Sequence, residues 1–498
     1  MRISQRNEPG SLDPALAALP DDLFVIRALG EGLVAPGAGA GKGATASAVP
    51  AAAERWEVSA DGHLWTFHLR PEGRWSNGEA VTAADFVASY RRALDPATAS
   101  PKATLFFEVR NAEAFATGRL SDFSQVGFRA QDSQTLVIDL AAPSPHFLDH
   151  AAAGCWIPVN PRVVARFGRS WTRPGHYVGN GPFVLEEWRP HQRIAVRRNR
   201  FYARAARVGL ERIDFVAFDD GNTEDAAFRS SEVDVTMAIP FSKIEPYERE
   251  RPLEFHETLL AETRFLTFNT THAPLDDLRV RKALSMALDR RRLARISGSL
   301  EAFRIAPPAL RPEAEPGALL VEDVPEARRL LAEAGYPEGR GLRTMELSSW
   351  VRSDVLEAIQ QMWRDRLHVG VALAAARDAR VHIAALRSGR YDIGFITAIP
   401  DVPDSADLLR RFTTGASDNY AQWSDASYDA LVAAVARERS AAGQGSAATA
   451  AERRLLGEMP VTPIYFNRKH WLMSPAVRGW FEDVVWNRSY LDLRWVRP

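Results

Sequence analysis

Residues 64–70, "LWTFHLR", alternate apolar and polar positions with the period of a strand. The turn "SNGE" and then a 3.6-residue pattern follow in "TAADFVASYRRALDP". Here Thr82 and Asp85 make a capping box and Asp95-Pro96 stops the helix. Downstream the pattern turns strand-rich. A hairpin is predicted in "VGNGPFVLEEWRPHQRIAVRRNRFYA" (178–203), with strands in "ERIDFVAF" and "SSEVDVTMAIP". Helical spacing returns in "LDDLRVRKALSMALDR", which places Val280, Leu284, Ala287 and Leu288 on one face. "VPEARRLLAEAGYPEG" starts on Pro and stops at Gly-Tyr-Pro. A helix "SDVLEAIQQMWRDRLH" then feeds the strand "HVGVALAAA", and a further strand, "YDIGFITAI", comes after "HIAALRSG". Interleaved helices and strands predict an α/β protein.

Two soft stretches interrupt this pattern. "APGAGAGKGATASAVPAAA" (35–53) offers nothing bulky to bury and reads as a loop. "RERSAAGQGSAATAAERR" reads as a surface loop inside a C-terminal helical region. At 498 residues the chain is too long for one core and long enough for two or three. A hydrophobic share of 46% and a formal net charge of -1 fit a soluble globular protein and give no whole-chain signal for nucleic acid.

Candidate chemistry is thin. The single Cys155 forbids an internal disulfide, and "AAAGCWIP" makes it a buried small hydrophobe. "GAGAGK" fails as a phosphate cradle, because Pro36 stands where the first Gly belongs and Gly43 where Ser or Thr belongs; Pro50 breaks the helix a dinucleotide turn would need. His146 and His150 stand four apart, without an obvious third metal ligand; Asp149 is expected to point away from both. "FHETLLAE" has Leu260 where a zinc-protease helix needs its second His. "DRRRLAR" (289–295) is expected to be a solvated basic face. No nucleophile motif is present, so no catalytic residue, metal or cofactor is assigned and the chain is read as a non-enzyme. No apolar run approaches a membrane span, and "MRISQRNEPGSLDPALA" lacks the start of an export signal, leaving either a cytoplasmic chain or one whose leader has been removed.

Six ordered segments carry a resemblance: "NEPGSLDPALA", the run from "WTFHLRPEGRW" to "RALDPATASP", the 178–203 hairpin, "TFNTTHAPLDDLRVRKALSMALDR", "ARRLLAEAGYP" and "YDIGFITAIPDVPDSADLL". Together the chain resembles the bacterial oligopeptide- and dipeptide-binding proteins, extracytoplasmic receptors of peptide ABC importers. The resemblance implies a periplasmic-binding-protein-like α/β fold with two main lobes joined by a hinge of two crossovers, plus a third smaller lobe. Lobe I would combine 1–35, 155–262 and 468–498, lobe II would be 36–154 and lobe III 263–467. The hairpin would then be scaffold, its glycines specifying architecture.

The resemblance also implies a mechanism. A peptide or peptide-like solute is captured in the cleft between lobes I and III and handed to a membrane permease driven by an ATPase. The receptor acts as a periplasmic monomer, without nucleic acid. Asp401 would neutralise the ligand's amino terminus. Leu19, Pro20 and Asp21 would form a strand edge pairing with the peptide, and Phe265, Thr267, Arg387, Phe395, Ala398 and Asn467 would line the site. Ala379 and Ala398 replace tryptophans, and Phe395 replaces a basic residue that can meet a carboxylate, so the site is expected to be wider or shaped for another ligand. A non-peptide solute such as an opine, glycoside or antibiotic-like molecule is the alternative, and a cytoplasmic enzyme or sensor on the same scaffold is a third.

Overall fold

The computed structural model describes residues 1–5, 7–37, 48–218, 220–310, 317–351, 353–438 and 440–496. The chain forms two units, one of residues 1–258 with 469–498 and one of 259–468. It leaves the first unit within the strand Phe255–Phe268 and returns within Val461–Leu472.

The first unit holds two four-stranded sheets, each with its own core. In one, the order is Arg2–Gln5, Arg212–Ala217, Arg193–Arg198, Phe183–Arg189. The first strand runs parallel to its neighbour and the others are antiparallel. The last two strands are the predicted hairpin, bent by a bulge between Leu185 and Glu187. Phe183, Leu185, Ile194 and Val196 face inward against Val25 and Leu29 of the helix Pro20–Leu29. That helix explains the glycines before the hairpin. A Cβ on Gly179 would sit 2.0 Å from the Leu29 carbonyl oxygen, and one on Gly181 2.5 Å from the Gly30 nitrogen. The Gly181 N–H donates to Leu29 at 3.0 Å. Only bare backbone fits there.

The second sheet is antiparallel, in the order Ala53–Val58, Leu64–Leu69, Thr135–Asp139, Phe128–Ala130. The helix Ala83–Leu94 covers it, with the Thr82–Asp85 capping box formed as expected. Its core is aromatic, built on Phe67, Phe86, Tyr90, Phe106 and Trp156, and Cys155 is buried within it. Of the glycine-rich stretch, residues 38–47 lie outside the described residues.

The second unit is built on a six-stranded mixed sheet in the order Leu300–Glu301, Val461–Leu472, Phe255–Phe268, Ile393–Ala398, Met345–Ser349, Val371–Ala375. The last three strands are mutually parallel, and Ile393–Ala398 is antiparallel to Phe255–Phe268. Val280, Leu284, Ala287 and Leu288 are all fully buried, as their spacing predicts.

Three expectations are corrected. Residues 437–454 are not a loop; most of them belong to the helix Ala441–Glu458, capped by the Ser440 hydroxyl accepting from the Gly443 N–H. Alanine is the best helix former, and the small side chains at 448 and 451 are buried along with Leu455 and Leu456 further on. The segment 230–240 is no strand, making only single bridges from Val235 to Ile3 and Met473. The basic run 289–295 is solvated at Arg291 and Arg292 but not at Arg290, which is fully buried. Arg290 donates to the Pro463 carbonyl at 2.9 Å, the Thr462 hydroxyl at 2.8 Å and the Ser285 hydroxyl at 2.9 Å.

Buried charge also ties the long C-terminal helix down. Glu452, wholly inaccessible, accepts from Arg304 at 2.6 Å and from the Ile305 and Ala306 amides. Removing one member strands the other, so Glu452→Ala is expected to destabilise the second unit by about 3 to 5 kcal/mol in urea unfolding. The apolar double variant Arg304→Met with Glu452→Leu should recover only part of that loss, because the Ile305 and Ala306 amides still lose their acceptor. Gly181→Ala is expected to cost about 1 to 3 kcal/mol, since its neighbour is backbone that cannot swing aside. Thermal unfolding followed by circular dichroism checks it.

Candidate functional site

Parallel strands end in loops that collect at one edge of a sheet, where ligands of open α/β folds are held. In the second unit that edge follows Ser349, Ala375 and Ala398. Asp401 lies in the loop after Ala398. Its N–H donates to the Asp407 carboxylate at 2.6 Å, and its own carboxylate accepts from Arg411 at 3.3 Å. Arg411 also bonds Asp418, which takes a further bond from Arg387 at 3.0 Å. Burial works against the Arg411 charge, but the carboxylates of Asp401, Asp418 and Asp407 outweigh it and hold the guanidinium firmly protonated. About a quarter of the Asp401 side chain stays exposed, at 23%. The loop thus presents an anionic oxygen pinned in direction by a protein cation.

The other expected residues are placed differently. Leu19, Pro20 and Asp21 are not a strand edge; Leu19 is the N-cap and Pro20 the first residue of the helix Pro20–Leu29. Proline's missing N–H costs nothing at that position, and its fixed φ favours the helix start. Asp21 is buried, accepting from Gln5 Nε2 through its carbonyl at 3.0 Å and from Asn7 Nδ2 through its carboxylate at 3.0 Å. Phe265 packs edge-on against Phe412 at 5.6 Å, and Thr267 shares a 3.3 Å hydrogen bond with the Tyr391 hydroxyl. Both are buried strand residues. Ala398 is buried at the strand end, opposite Thr263. Asn467 donates to Glu262 on the neighbouring strand. Ala379 opens the helix Ala379–Arg387, which ends with the half-exposed Arg387.

Among the described residues no three His, Cys, Asp or Glu converge. Asp149 does not turn from His146, as expected, but lies 3.9 Å from it, while His150 pairs with Glu108 at 3.0 Å.

Three residues at the same sheet edge escaped the sequence reading. Arg264 lies with its guanidinium 4.9 Å from the Trp350 ring and 5.5 Å from that of Phe395. His382, buried behind them, has its ring 5.5 Å from Trp350 and its Nε2 3.2 Å from the Phe395 carbonyl oxygen. The available signal was an arginine set among apolar positions in "TRFLTF".

With this geometry in view, the comparisons place the chain. Residues 47–420 match the family model described as "Bacterial extracellular solute-binding proteins, family 5 Middle". The periplasmic murein peptide-binding protein of Escherichia coli is 30% identical over 500 residues, covering 97% of this chain and 91% of the relative. A probable deoxycholate-binding periplasmic protein of the same organism is 30% identical, covering 96% of this chain and 90% of the relative. The solved structure of the Escherichia coli murein tripeptide binding protein superposes with a TM-score of 0.90 at 28% identity, covering 100% of this chain and 98% of that one. Haemophilus influenzae OppA in complex with RPPGFSPFR gives 0.87 at 27%, covering 100% and 99%. The chain belongs to family 5 of the bacterial extracellular solute-binding proteins and has their α/β fold.

Burial holds His382 below its ordinary value of 6.5. The unfolded chain therefore takes up this proton at a higher pH than the folded one, so this contribution is complete above about pH 7 and declines as pH falls through 6.5. Urea unfolding at a series of pH values is expected to show this loss in the wild type and a flatter profile in His382→Asn.

Proposed function

We propose that this protein is the substrate-binding receptor of an ABC importer, working outside the cytoplasmic membrane as a monomer. It captures a peptide or peptide-like solute and delivers it to a permease driven by an ATPase. The observation that carries this reading is the end-to-end match to a periplasmic protein whose name specifies murein peptides, and to its solved structure over the whole chain. The three-lobe division, 1–35 with 155–262 and 468–498, 36–154, and 263–467, belongs to the same reading. It is supported by the separate cores of the two sheets in the first unit.

In this reading the ligand's ammonium meets Asp401. The supporting geometry is a partly exposed carboxylate beyond the end of a parallel strand, with its direction fixed by Arg411. Titration calorimetry with a mixed tripeptide pool should show binding that Asp401→Asn weakens by about a hundredfold, the scale of leaving an enclosed ammonium unanswered. Equal affinity in both proteins would remove the ammonium anchor.

A second reading, a receptor for a non-peptide solute, is favoured by the relative named as a probable deoxycholate-binding protein. Deoxycholate has a carboxylate and no ammonium, so its binding would be indifferent to Asp401→Asn. Mass spectrometry of ligand retained through native purification separates the two: a ladder of peptides supports the first, a single steroid-like species the second.

A further inference from the structure

We infer that Arg264 anchors a carboxylate of the bound solute, held for that purpose between Trp350 and Phe395. The inference rests on the receptor reading above and extends it from the ligand's cationic end to its anionic one.

Arg264 comes from the strand Phe255–Phe268, paired with Thr397, and shares its face with Leu266 opposite Phe395. This puts it on the last residues of the sheet before the loop carrying Asp401. Its Nε and Nη1 are shielded from solvent and meet no acceptor. Among the described residues no ion pair or hydrogen bond engages the side chain, although the residue as a whole keeps part of its surface open. The acid nearest in sequence, Glu262, accepts from Asn467 instead.

Four other shielded arginines have their charge answered within the chain. Arg290 bonds four oxygens, Arg304 pairs with Glu452, Arg411 with Asp401 and Asp418, and Arg488 with Glu482. A guanidinium withdrawn from water without an anion is unfavourable, and two aromatic faces soften that cost without balancing the charge. The rings also fix the plane of the guanidinium, and a planar fork recognises a carboxylate through two parallel N–H donors. Arg264 is therefore half of an ion pair whose other half comes from outside the chain.

The register bounds the ligand. Arg264 stands opposite Thr397, and Asp401 is four residues further along. That is at most about 14 Å of extended chain. An extended tripeptide spans about 10 Å, the same scale as that backbone separation, and the proposal seats its ammonium at Asp401 and its carboxylate at Arg264.

Calorimetry with trialanine, trialanine amide, and the amidated peptides Ala-Glu-Ala and Ala-Gln-Ala tests this on the wild type, Arg264→Lys and Arg264→Gln. The expected result is that trialanine binds the wild type at least about tenfold more tightly than its amide, and that Arg264→Gln abolishes the difference while Arg264→Lys keeps part of it. If the Arg264-dependent preference appears only between Ala-Glu-Ala amide and Ala-Gln-Ala amide, the carboxylate is a side chain's and the anchor stands. A parallel thermal-shift series with succinate, at constant ionic strength, serves if no peptide binds. A succinate-induced rise in melting temperature that Arg264→Gln removes upholds the anchor and defeats the peptide reading. Peptides that bind with no preference for a carboxylate, or a wild type indifferent to both peptides and succinate, overturn the anchor; the first of these leaves the peptide reading intact.

Discussion

Every cation this fold withdraws from water has to be met by oxygen, and much of the architecture is arranged to do so. Arg290 is almost completely saturated by the carbonyls and hydroxyls of residues 285, 462 and 463, which sets the helix Arg290–Ser297 against the returning strand. Arg304 and Glu452 join the loop after Glu301 to the C-terminal helix. In the first unit Glu482 takes both Lys469 at 2.5 Å and Arg488 at 2.6 Å, with all three side chains at most 3% exposed. Such pairs add little net stability over apolar packing, but each is intolerant of losing one member. They therefore fix which segments lie together more than how tightly they are held.

The same rule organises the edge of the six-stranded sheet. Three parallel strands bring three loops together there, and the antiparallel strand Phe255–Phe268 adds the side chain of residue 264 from alongside. The loop after Ala398 brings its own counter-charge: Asp401, Asp407 and Asp418 alternate with Arg387, Arg410 and Arg411. A balanced network keeps the loop ordered and leaves one carboxylate partly open.

Much of this was legible in the sequence. The capping box at Thr82, the hairpin after Gly181, the buried face from Val280 to Leu288 and the α/β alternation all follow from periodicity and end signals that act locally. The failures share a physical origin in tertiary context. The 441–458 helix opens on an alanine- and glycine-rich run whose burial depends on neighbours, and Arg290 looked solvated because two of its acceptors, at 462 and 463, lie more than 170 positions away. At the site, Asp401 was assigned through the family resemblance alone, since a lone aspartate between two prolines reads locally as a turn, whereas Leu19 to Asp21 were assigned to a strand although Pro20 followed by two aspartates is a helix start. Arg264 was invisible because its significance is the absence of a partner, which a sequence does not record.

The two charges at the sheet edge are not equivalent, and the difference decides how a zwitterionic solute would be recognised. Asp401 already has Arg411, so an incoming ammonium shares or displaces a partner and gains only the difference between the two interactions. Arg264 has nothing to give up, and a carboxylate arriving there replaces an unfavourable state with a paired one. In the proposed receptor Asp401 would supply the ammonium's counter-charge and reject a second anion, while Arg264 would gain an anionic partner it does not have within the chain. That asymmetry follows from which charge the chain neutralised by itself, and it accommodates solutes of different body so long as they present a carboxylate to the arginine.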